Sequence, residues 1–216
     1  MEIDQWAPTP LSGNRGHRPS VTATTYLRSL MLIIGAHKLR LQTRRMTSTI
    51  ALNGVNLPAI GGLVAAITEH PEKAQTRWSA DVTWNGAFAS AAAVRDFEPI
   101  GSDEPKTLGG GDTSPNPVEQ LLGALGNCLA VGYAANATVA GIAIDHLSIA
   151  LEGDLDLHVF LGLAEGHAGF SQIRATVDLR ADADPEAIAA LHAKVAATSP
   201  VGHTLNSAVP LTITPA

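Results

Sequence analysis

Cysteine and aromatic residues are scarce in this chain. Cys128 is the only cysteine among 216 residues, so the chain cannot form an intramolecular disulfide. That composition is typical of a reducing compartment, and we therefore expect a cytoplasmic protein. Aromatic residues are 4% of the chain, whereas Ala and Gly are abundant, so the hydrophobic core must be built from small and aliphatic side chains.

Positive charge and long apolar runs are also scarce. The formal net charge is −6, which argues against nucleic acid as a partner, because phosphate binding requires clustered Lys and Arg. No apolar run approaches the ~20 residues that a membrane span requires, so we expect no membrane-spanning segment. The histidines form no HxH or HxxxH pattern and no second cysteine is available for zinc, so we predict neither a metal site nor a cofactor.

The composition changes abruptly near Met46. Residues 1–45 are rich in Pro, Thr, Ser, Gly and Arg around a short apolar run, Leu30 to Ile34. We interpret this segment as a loosely packed extension, or as the product of an upstream start codon with Met46 as the true beginning. A transit peptide is the alternative, because the segment is rich in Arg and poor in acidic residues. Residues 46–216 are then predicted to form one domain.

Hydrophobic periodicity predicts the elements of that domain. They are a helix over residues 56–70, strands over 75–84 and 88–97 joined by Asn85-Gly86, a loop over 99–115, a helix over 117–140, strands over 142–152 and 170–179, a helix from Asp184 to Thr198, and a final strand over 209–213. Residues 154–169 fit neither period. No βαβ alternation is present, so we predict an α+β fold, with an antiparallel sheet packed on the long central helix.

The helix over residues 117–140 is the organising element. Asn116 can cap its first turn, Pro117 suits the first helical position, and Glu119 can reach back to the cap amide. Leucines recur on one face at helical spacing, and Cys128 falls on the same face. Small residues cover much of the remaining surface, so other elements can approach closely. We therefore predict that this helix is central and buried.

The stretch GGGDTSPNPVEQLLGALGNCL resembles the central helix of the OsmC/Ohr family of thiol-dependent hydroperoxide reductases. The shared features are a Gly-rich loop, an Asn-Pro pair, an acidic residue and a leucine-rich pattern that ends at Cys128. Further similarity lies in residues 153–157, 169–173 and 199–205. The resemblance runs roughly from Gln75 to the C-terminus. It implies an OsmC-like fold in intertwined homodimers, with the thiol sites at the subunit interface.

The resemblance assigns Cys128 to the peroxidatic position of the family. The thiolate is the attacking species, so a cation or a helix N-terminus must stabilise it. Cys128 lies about three turns into the predicted helix, too deep for the dipole of that helix to help much, so a partner group must supply the activation. The residue type alone favours the other interpretation, a small buried hydrophobic residue, which is a common role of free cysteine.

Ser199 stands where the family has its second, resolving cysteine in a Cys-Pro pair. Serine cannot form the disulfide that returns an oxidised cysteine to its resting state. The structural interpretation of Ser199 is a helix N-cap before Pro200. His203 lies four residues further on and could meet Cys128 if the two loops converge.

The two other positions that serve the thiol chemistry of the family, a Glu and an Arg, also differ in this sequence. Val118 occupies the position of the family's Glu, and Glu119 lies one residue late, nearly opposite Cys128 on the helix. Capping of the helix already explains Glu119. The family's activating Arg follows the Gly of the first hairpin, but no Arg follows Gly86 here. Arg95, late on the return strand, is the best substitute, and its structural interpretation is a solvated charge at a strand edge.

Two functions follow from these observations. The first is organic hydroperoxide detoxification or oxidative-stress response through a single peroxidatic cysteine, in a homodimer that uses an external thiol as reductant. The second is a catalytically inactive dimer of the same fold that binds an apolar small molecule at the subunit interface. A cation within hydrogen-bond reach of Cys128 would favour the first function, and a purely apolar shell would favour the second.

Overall fold

The structure, a computed structural model, describes residues 51–215 and combines helices with antiparallel strands. The predicted α+β class is therefore confirmed. The expected extension over residues 1–45 lies outside the described residues, as does Met46. In chain order the elements are α1 (Leu57–Glu69), β1 (Asp81–Gly86), β2 (Ala89–Ala93), β3 (Ile100–Ser102), α2 (Pro117–Ala140), β4 (Ile144–Asp154), α3 (Leu157–Phe160), β5 (Gln172–Ala181), α4 (Pro185–Thr198) and α5 (Pro200–Leu205).

The first three strands form an antiparallel sheet in the order β1-β2-β3. β1 and β2 form the predicted hairpin, but its turn lies at Ala87 and Phe88, because the predicted turn residues Asn85 and Gly86 belong to the end of β1. Gly86 has φ 105° and Ala87 has φ 46°. Glycine adopts positive φ at little cost because it has no Cβ. Trp84 closes the turn by donating its indole N–H to the carbonyl of Ala87 at 2.9 Å. The hairpin thereby sets the place of Arg95, which follows β2.

The long helix α2 begins and ends where the sequence predicts. The backbone N–H of Glu119 donates to Oδ1 of Asn116 at 2.9 Å, and the N–H of Asn116 donates to Oε2 of Glu119 at 2.8 Å. This reciprocal pair satisfies two amides that the first turn would otherwise leave unpaired. The helix ends at Gly141, whose φ of 74° is the left-handed conformation that favours glycine at a C-terminus.

The core lies where α2, α4 and the β4-β5 sheet meet. β4 and β5 pair antiparallel along their length. The buried apolar residues of this core are Tyr133, Ala137, Ile142, Leu191 and Val195. Gly132 permits close packing, because a Cβ there would lie 3.1 Å from Cγ1 of Val195. The prediction that α2 is buried holds for this face only. Val131 on another face is 69% exposed in the single chain.

A short segment before α1 is fastened to the end of α2 by one asparagine. Asn53 donates its side-chain amide to Oγ1 of Thr138 at 3.0 Å and to the carbonyl of Ile142 at 2.9 Å. Its Oδ1 accepts from the N–H of Ile144 at 2.9 Å. Asn53 adopts a left-handed φ of 53°, a conformation that asparagine tolerates better than most residues. This side chain therefore links three positions around the α2–β4 junction.

Three further sequence predictions about the elements were wrong. β3 lies in the stretch predicted as a loop, and it forms because β2 offers an edge to pair with. The predicted strand over residues 209–213 is not formed in the described chain, where residues 208–215 have no regular structure. Pro210 lacks the N–H that a ladder requires, and a strand also needs a neighbour to pair with. The first strand begins at Asp81, six residues later than predicted from Gln75.

None of the helices within residues 51–215 combines the length and hydropathy that crossing a membrane requires. Residues 154–169, which matched neither period, contain the single-turn helix α3.

Candidate functional site

Cys128 and Ser199 meet at the surface of the core. Cys128 lies midway along α2 and is half-buried. Ser199 lies at the junction of α4 and α5 and is 5% exposed. Their side chains are brought together by the packing of α4 and α5 against α2. The distance between Sγ of Cys128 and Oγ of Ser199 is 3.3 Å, which is within hydrogen-bond range for sulfur.

Ser199 also caps the helix that follows it. The N–H of Gly202 donates to Oγ of Ser199 at 3.1 Å, and Pro200 occupies the first helical position of α5. The predicted N-cap is therefore confirmed. Because the serine oxygen already accepts from this amide, its hydroxyl hydrogen is available to the sulfur of Cys128. A thiolate at Cys128 would require that direction, since a thiolate has no hydrogen to donate.

The Cys128–Ser199 pair opens onto an apolar pocket of about 460 Å³. Its lining residues are Asn127, Cys128, Val131, Gly132, Ala135, Asn136, Thr198, Ser199 and Pro200. None of these residues carries a charge. Within the described part of one chain, the thiol therefore has a hydroxyl partner and an uncharged pocket, but no cation lines the pocket to stabilise a thiolate.

Arg95 makes a local contact and does not line this pocket. Its guanidinium carbon lies 4.7 Å from the centre of the Phe97 ring, a cation–π contact. Its backbone is in the left-handed region at φ 52°. Among the described residues Arg95 forms no ion pair, and it does not line the pocket of Cys128. The structure thus does not bring Arg95 to Cys128 within one chain, and its activating role stays a prediction.

Glu119 is engaged at the start of α2. Both its carboxylate and its amide bond to Asn116, as the capping interpretation requires. Nine residues of helix separate Glu119 from Cys128, which corresponds to about 13 Å along the axis. Glu119 and Val118 instead line a different pocket at the N-terminal end of the helix. A contact between Glu119 and Cys128 is therefore not formed in the single chain.

His203, which the sequence analysis considered as a partner of Cys128, and His192 each bond elsewhere and do not line the pocket of Cys128. His203 lies on α5 with Nε2 at 3.0 Å from the carbonyl of Ala197. His192 lies on α4 with Nδ1 at 2.7 Å from the hydroxyl of Tyr133, and burial raises the pKa of that tyrosine. No group of three or more potential metal ligands occurs among residues 51–215.

Asp103 is a residue that the sequence analysis missed. It is 3% exposed, and its carboxylate accepts from the N–H groups of Glu104, Gly111 and Thr113 and from the Thr113 hydroxyl. The Thr113 hydroxyl bond, together with the amides and against the effect of burial, holds the pKa of Asp103 below its usual value. This carboxylate folds the Gly-rich loop that leads into α2. An Asp just before a Gly-rich loop was the available signal.

The fold and the site together describe an α+β protein. Its one cysteine, Cys128, lies on the long helix α2, beside Ser199, which caps the last helix α5. Residues 109–214 match the family model of OsmC-like proteins. The chain therefore carries an OsmC-like domain, and the family recognised from the motif around Cys128 is confirmed. Cys128 is the only cysteine of the sequence, so the second cysteine that the family resemblance implies is absent.

Solved structures show the same fold. The chain resembles an OsmC-like protein from Mycoplasma pneumoniae, with 19% identity and a TM-score of 0.54 over 61% of this chain and 89% of that one. It also resembles a protein of Psychrobacter arcticus 273-4 named for osmotic stress induction and a detoxification response, with 16% identity and a TM-score of 0.51 over 60% and 89% of the two chains. No curated protein sequence gives a significant match.

Proposed function

We propose that the protein reduces organic hydroperoxides through Cys128, in a homodimer, with an external thiol as the reductant. The observation that carries this proposal is the 3.3 Å approach of the Ser199 hydroxyl to the Cys128 sulfur at the edge of an uncharged pocket. The OsmC-like domain supports a role in peroxide or stress response. The name of the Psychrobacter arcticus relative points the same way.

The first step transfers one oxygen atom to sulfur. The Cys128 thiolate attacks the terminal oxygen of ROOH, an S–O bond forms and the O–O bond breaks. The sulfur loses two electrons and becomes a sulfenic acid, and the alkoxide takes up a proton and leaves as ROH. The hydrogen bond from Ser199 stabilises the thiolate before the attack. An uncharged pocket favours an organic substituent over a charged one, because an apolar group loses little by leaving water.

The second step must come from outside the chain. No second cysteine is available, and the serine at position 199 cannot form a disulfide. An external thiol R′SH attacks the sulfenic acid, which forms a mixed disulfide and releases water. A second thiol then attacks the mixed disulfide, restores the Cys128 thiol and leaves as R′SSR′. Such thiols are abundant in a reducing compartment, which fits the cytoplasmic location we propose.

Large apolar side chains on the surface of the single chain support a homodimer. Trp84 on the first sheet is 72% exposed and Leu211 near the C-terminus is 85% exposed, while Val131 borders the pocket of Cys128. Burial of such side chains between two copies would remove apolar surface from water, which favours association. A second copy that covers Val131 would close the pocket and desolvate the thiol. We propose that this copy also supplies a cation near Cys128, where residues 51–215 of one chain place none in the pocket lining.

The uncharged pocket favours one second candidate, a catalytically inactive dimer that binds an apolar small molecule there. In that case the contact with Ser199 serves packing, and Cys128 is an inert wall residue. The two candidates differ in the reactivity of the thiol, which can be measured directly.

The test is oxidation of the folded protein by cumene hydroperoxide, followed by mass spectrometry. The proposal expects one added oxygen on Cys128, none in Cys128→Ser, and consumption of about one peroxide per Cys128 when no small thiol is added. Slow turnover should appear when dithiothreitol is supplied. Hydrogen peroxide serves as the comparison oxidant and should react more slowly. A cysteine that stays reduced under millimolar hydroperoxide would leave the binding protein as the surviving candidate.

A further inference from the structure

A second pocket lies at the N-terminal end of α2. It has a volume of about 330 Å³ and shares no lining residue with the pocket of Cys128. Its walls come from the loop before α2, the first turns of α2, the end of β4, and the segment that contains α3. The apolar wall residues are Leu108, Val118, Leu122, Leu155, Leu157, Phe160 and Phe170.

The polar side of this pocket is acidic. Glu104 and Glu119 both line it, and each is tied to Asn116 between them. The side-chain amide of Asn116 donates to Oε2 of Glu104 at 3.2 Å, and the backbone N–H of Asn116 donates to Oε2 of Glu119 at 2.8 Å. These bonds hold the two carboxylates on the same side of the pocket. Within residues 51–215, neither carboxylate forms an ion pair with Lys, Arg or His.

Val118 contributes to the apolar wall of the pocket. The family resemblance implies a Glu at this position, and a third carboxylate would have reduced the apolar part of the wall. Valine instead continues the apolar surface formed with Leu122 on the next turn of α2. The pocket therefore has an apolar body and a separate anionic edge. Nearby Phe160 is 49% exposed, so part of the wall is open to a ligand.

We propose that this pocket binds an apolar small molecule that carries one protonated amine. The apolar body would bury the hydrocarbon part, and the ammonium group would lie between the carboxylates of Glu104 and Glu119. Each carboxylate keeps acceptor capacity beyond its one bond to Asn116, since an ionised carboxylate has about four acceptor sites. A ligand with a carboxylate head would meet two like charges. The volume lies at the lower end of the range for small-molecule sites.

The test uses three probes of equal chain length that differ only in the head group. Octylammonium, octanol and octanoate are titrated separately into the full chain at pH 7 by calorimetry, below their micelle-forming concentrations. Octylammonium is expected to bind at least tenfold more tightly than octanoate, with octanol between them. Rising salt should weaken octylammonium binding and leave octanol binding unchanged, because salt screens the charged contact alone.

Charge variants connect the preference to the two carboxylates. Glu104→Gln and Glu119→Gln should each weaken octylammonium binding by about two- to fivefold and leave octanol binding unchanged. Glutamine at position 119 keeps the capping box, and glutamine at position 104 can still accept from Asn116, so folding should be retained in both variants. Glu186→Gln removes the same charge from the exposed first turn of α4, outside the pocket, and is the matched control. Phe160→Ala should weaken all three probes together.

Several results would overturn the proposal. Equal affinities for octylammonium and octanoate would show that the carboxylates do not select the ligand. An equal effect of Glu186→Gln would show that net charge alone sets the preference. Failure of all three probes to bind at millimolar concentration would show that the pocket does not take such a ligand in the assembled protein. None of these results bears on the reactivity of Cys128.

Discussion

The hydroxyl of Ser199 lies 3.3 Å from the sulfur of Cys128, although 71 positions separate the two residues in the chain. α2 carries the cysteine and the α4–α5 junction carries the serine, so the contact depends on the packing of these helices. The same hydroxyl oxygen caps α5. One side chain thus joins the stability of a helix start to the chemistry of the thiol, and substitution at this position should affect both.

Ser199→Ala should reduce both the stability of the fold and the reactivity of the Cys128 thiol with peroxide. Loss of the cap on Gly202 should cost about 1 kcal/mol of unfolding free energy. Loss of the hydrogen bond to the thiolate should slow sulfenic acid formation about tenfold, because a hydrogen bond to a charged group contributes about 1.5–3 kcal/mol. Urea unfolding and a stopped-flow peroxide assay measure the two effects. Asp184→Ala removes the comparable cap of α4 and is the control. It should lower stability by a similar amount and leave the peroxide rate unchanged.

Ser199→Cys should restore the two-cysteine arrangement that the family resemblance implies. The short distance between the present side chains suggests that two sulfur atoms can bond there with little backbone movement. Peroxide should then convert the thiol pair to a disulfide, seen as the loss of two hydrogens by mass. In the chain-entropy account, closing a loop of this length contributes about 4 kcal/mol. The double variant with Cys128→Ser should show no disulfide and no gain in stability.

Asn53→Gly should be strongly destabilising for a substitution in a surface segment. Glycine keeps the left-handed backbone without strain, so the loss reports the side chain alone, apart from the greater freedom of glycine in the unfolded chain. Three contacts at the α2–β4 junction disappear, with an expected cost of about 2–3 kcal/mol. Asn56→Gly removes only the cap of α1 and should cost a few tenths of a kcal/mol. An equal loss of unfolding free energy in the two variants would show that the three Asn53 contacts contribute no more than a single helix cap.

Acid should destabilise the fold through Asp103. The pKa of this carboxyl is lower in the folded state than its ordinary value of 3.8. Its stabilising contribution is therefore fully present above pH 3.8 and is lost as the pH falls below that value, through the folded pKa. The urea midpoint of Thr113→Val, which removes the hydroxyl bond that lowers this pKa most, should fall less steeply in the acid range. A parallel acid dependence in the two proteins would contradict this assignment.

Light scattering should find a homodimer at micromolar concentration. Val131→Glu places a charge on the exposed face of α2 and should weaken the dimer and slow the reaction of Cys128. Ala189→Glu adds the same charge to an exposed position on α4 and should leave assembly unchanged. A folded wild-type monomer at this concentration would contradict the proposed dimer. Retention of the dimer in Val131→Glu would place the interface on a different surface.

Local signals account for the elements that the sequence predicted well. The start and end of α2 depend on Asn116, Pro117, Glu119 and Gly141, whose effects act within one or two turns of helix. The first hairpin, whose turn lies two residues after the predicted Asn85-Gly86, and the N-cap role of Ser199 depend on similarly local signals. β3 and the unformed strand near Pro210 were predicted wrongly, because a short strand exists only where a neighbouring strand is available to pair with it.

The sequence by itself determined the α+β class, the boundaries of the central helix, the OsmC-like family, and the presence of one cysteine without a second. Each of these depends on residue identity, on period, or on interactions within a few residues. Only the tertiary structure decided that Ser199 faces Cys128, that Asp103 folds the loop before α2, and that Glu104 and Glu119 border one apolar pocket. These relationships join residues that are far apart or on different elements, and the packing of those elements sets their distances.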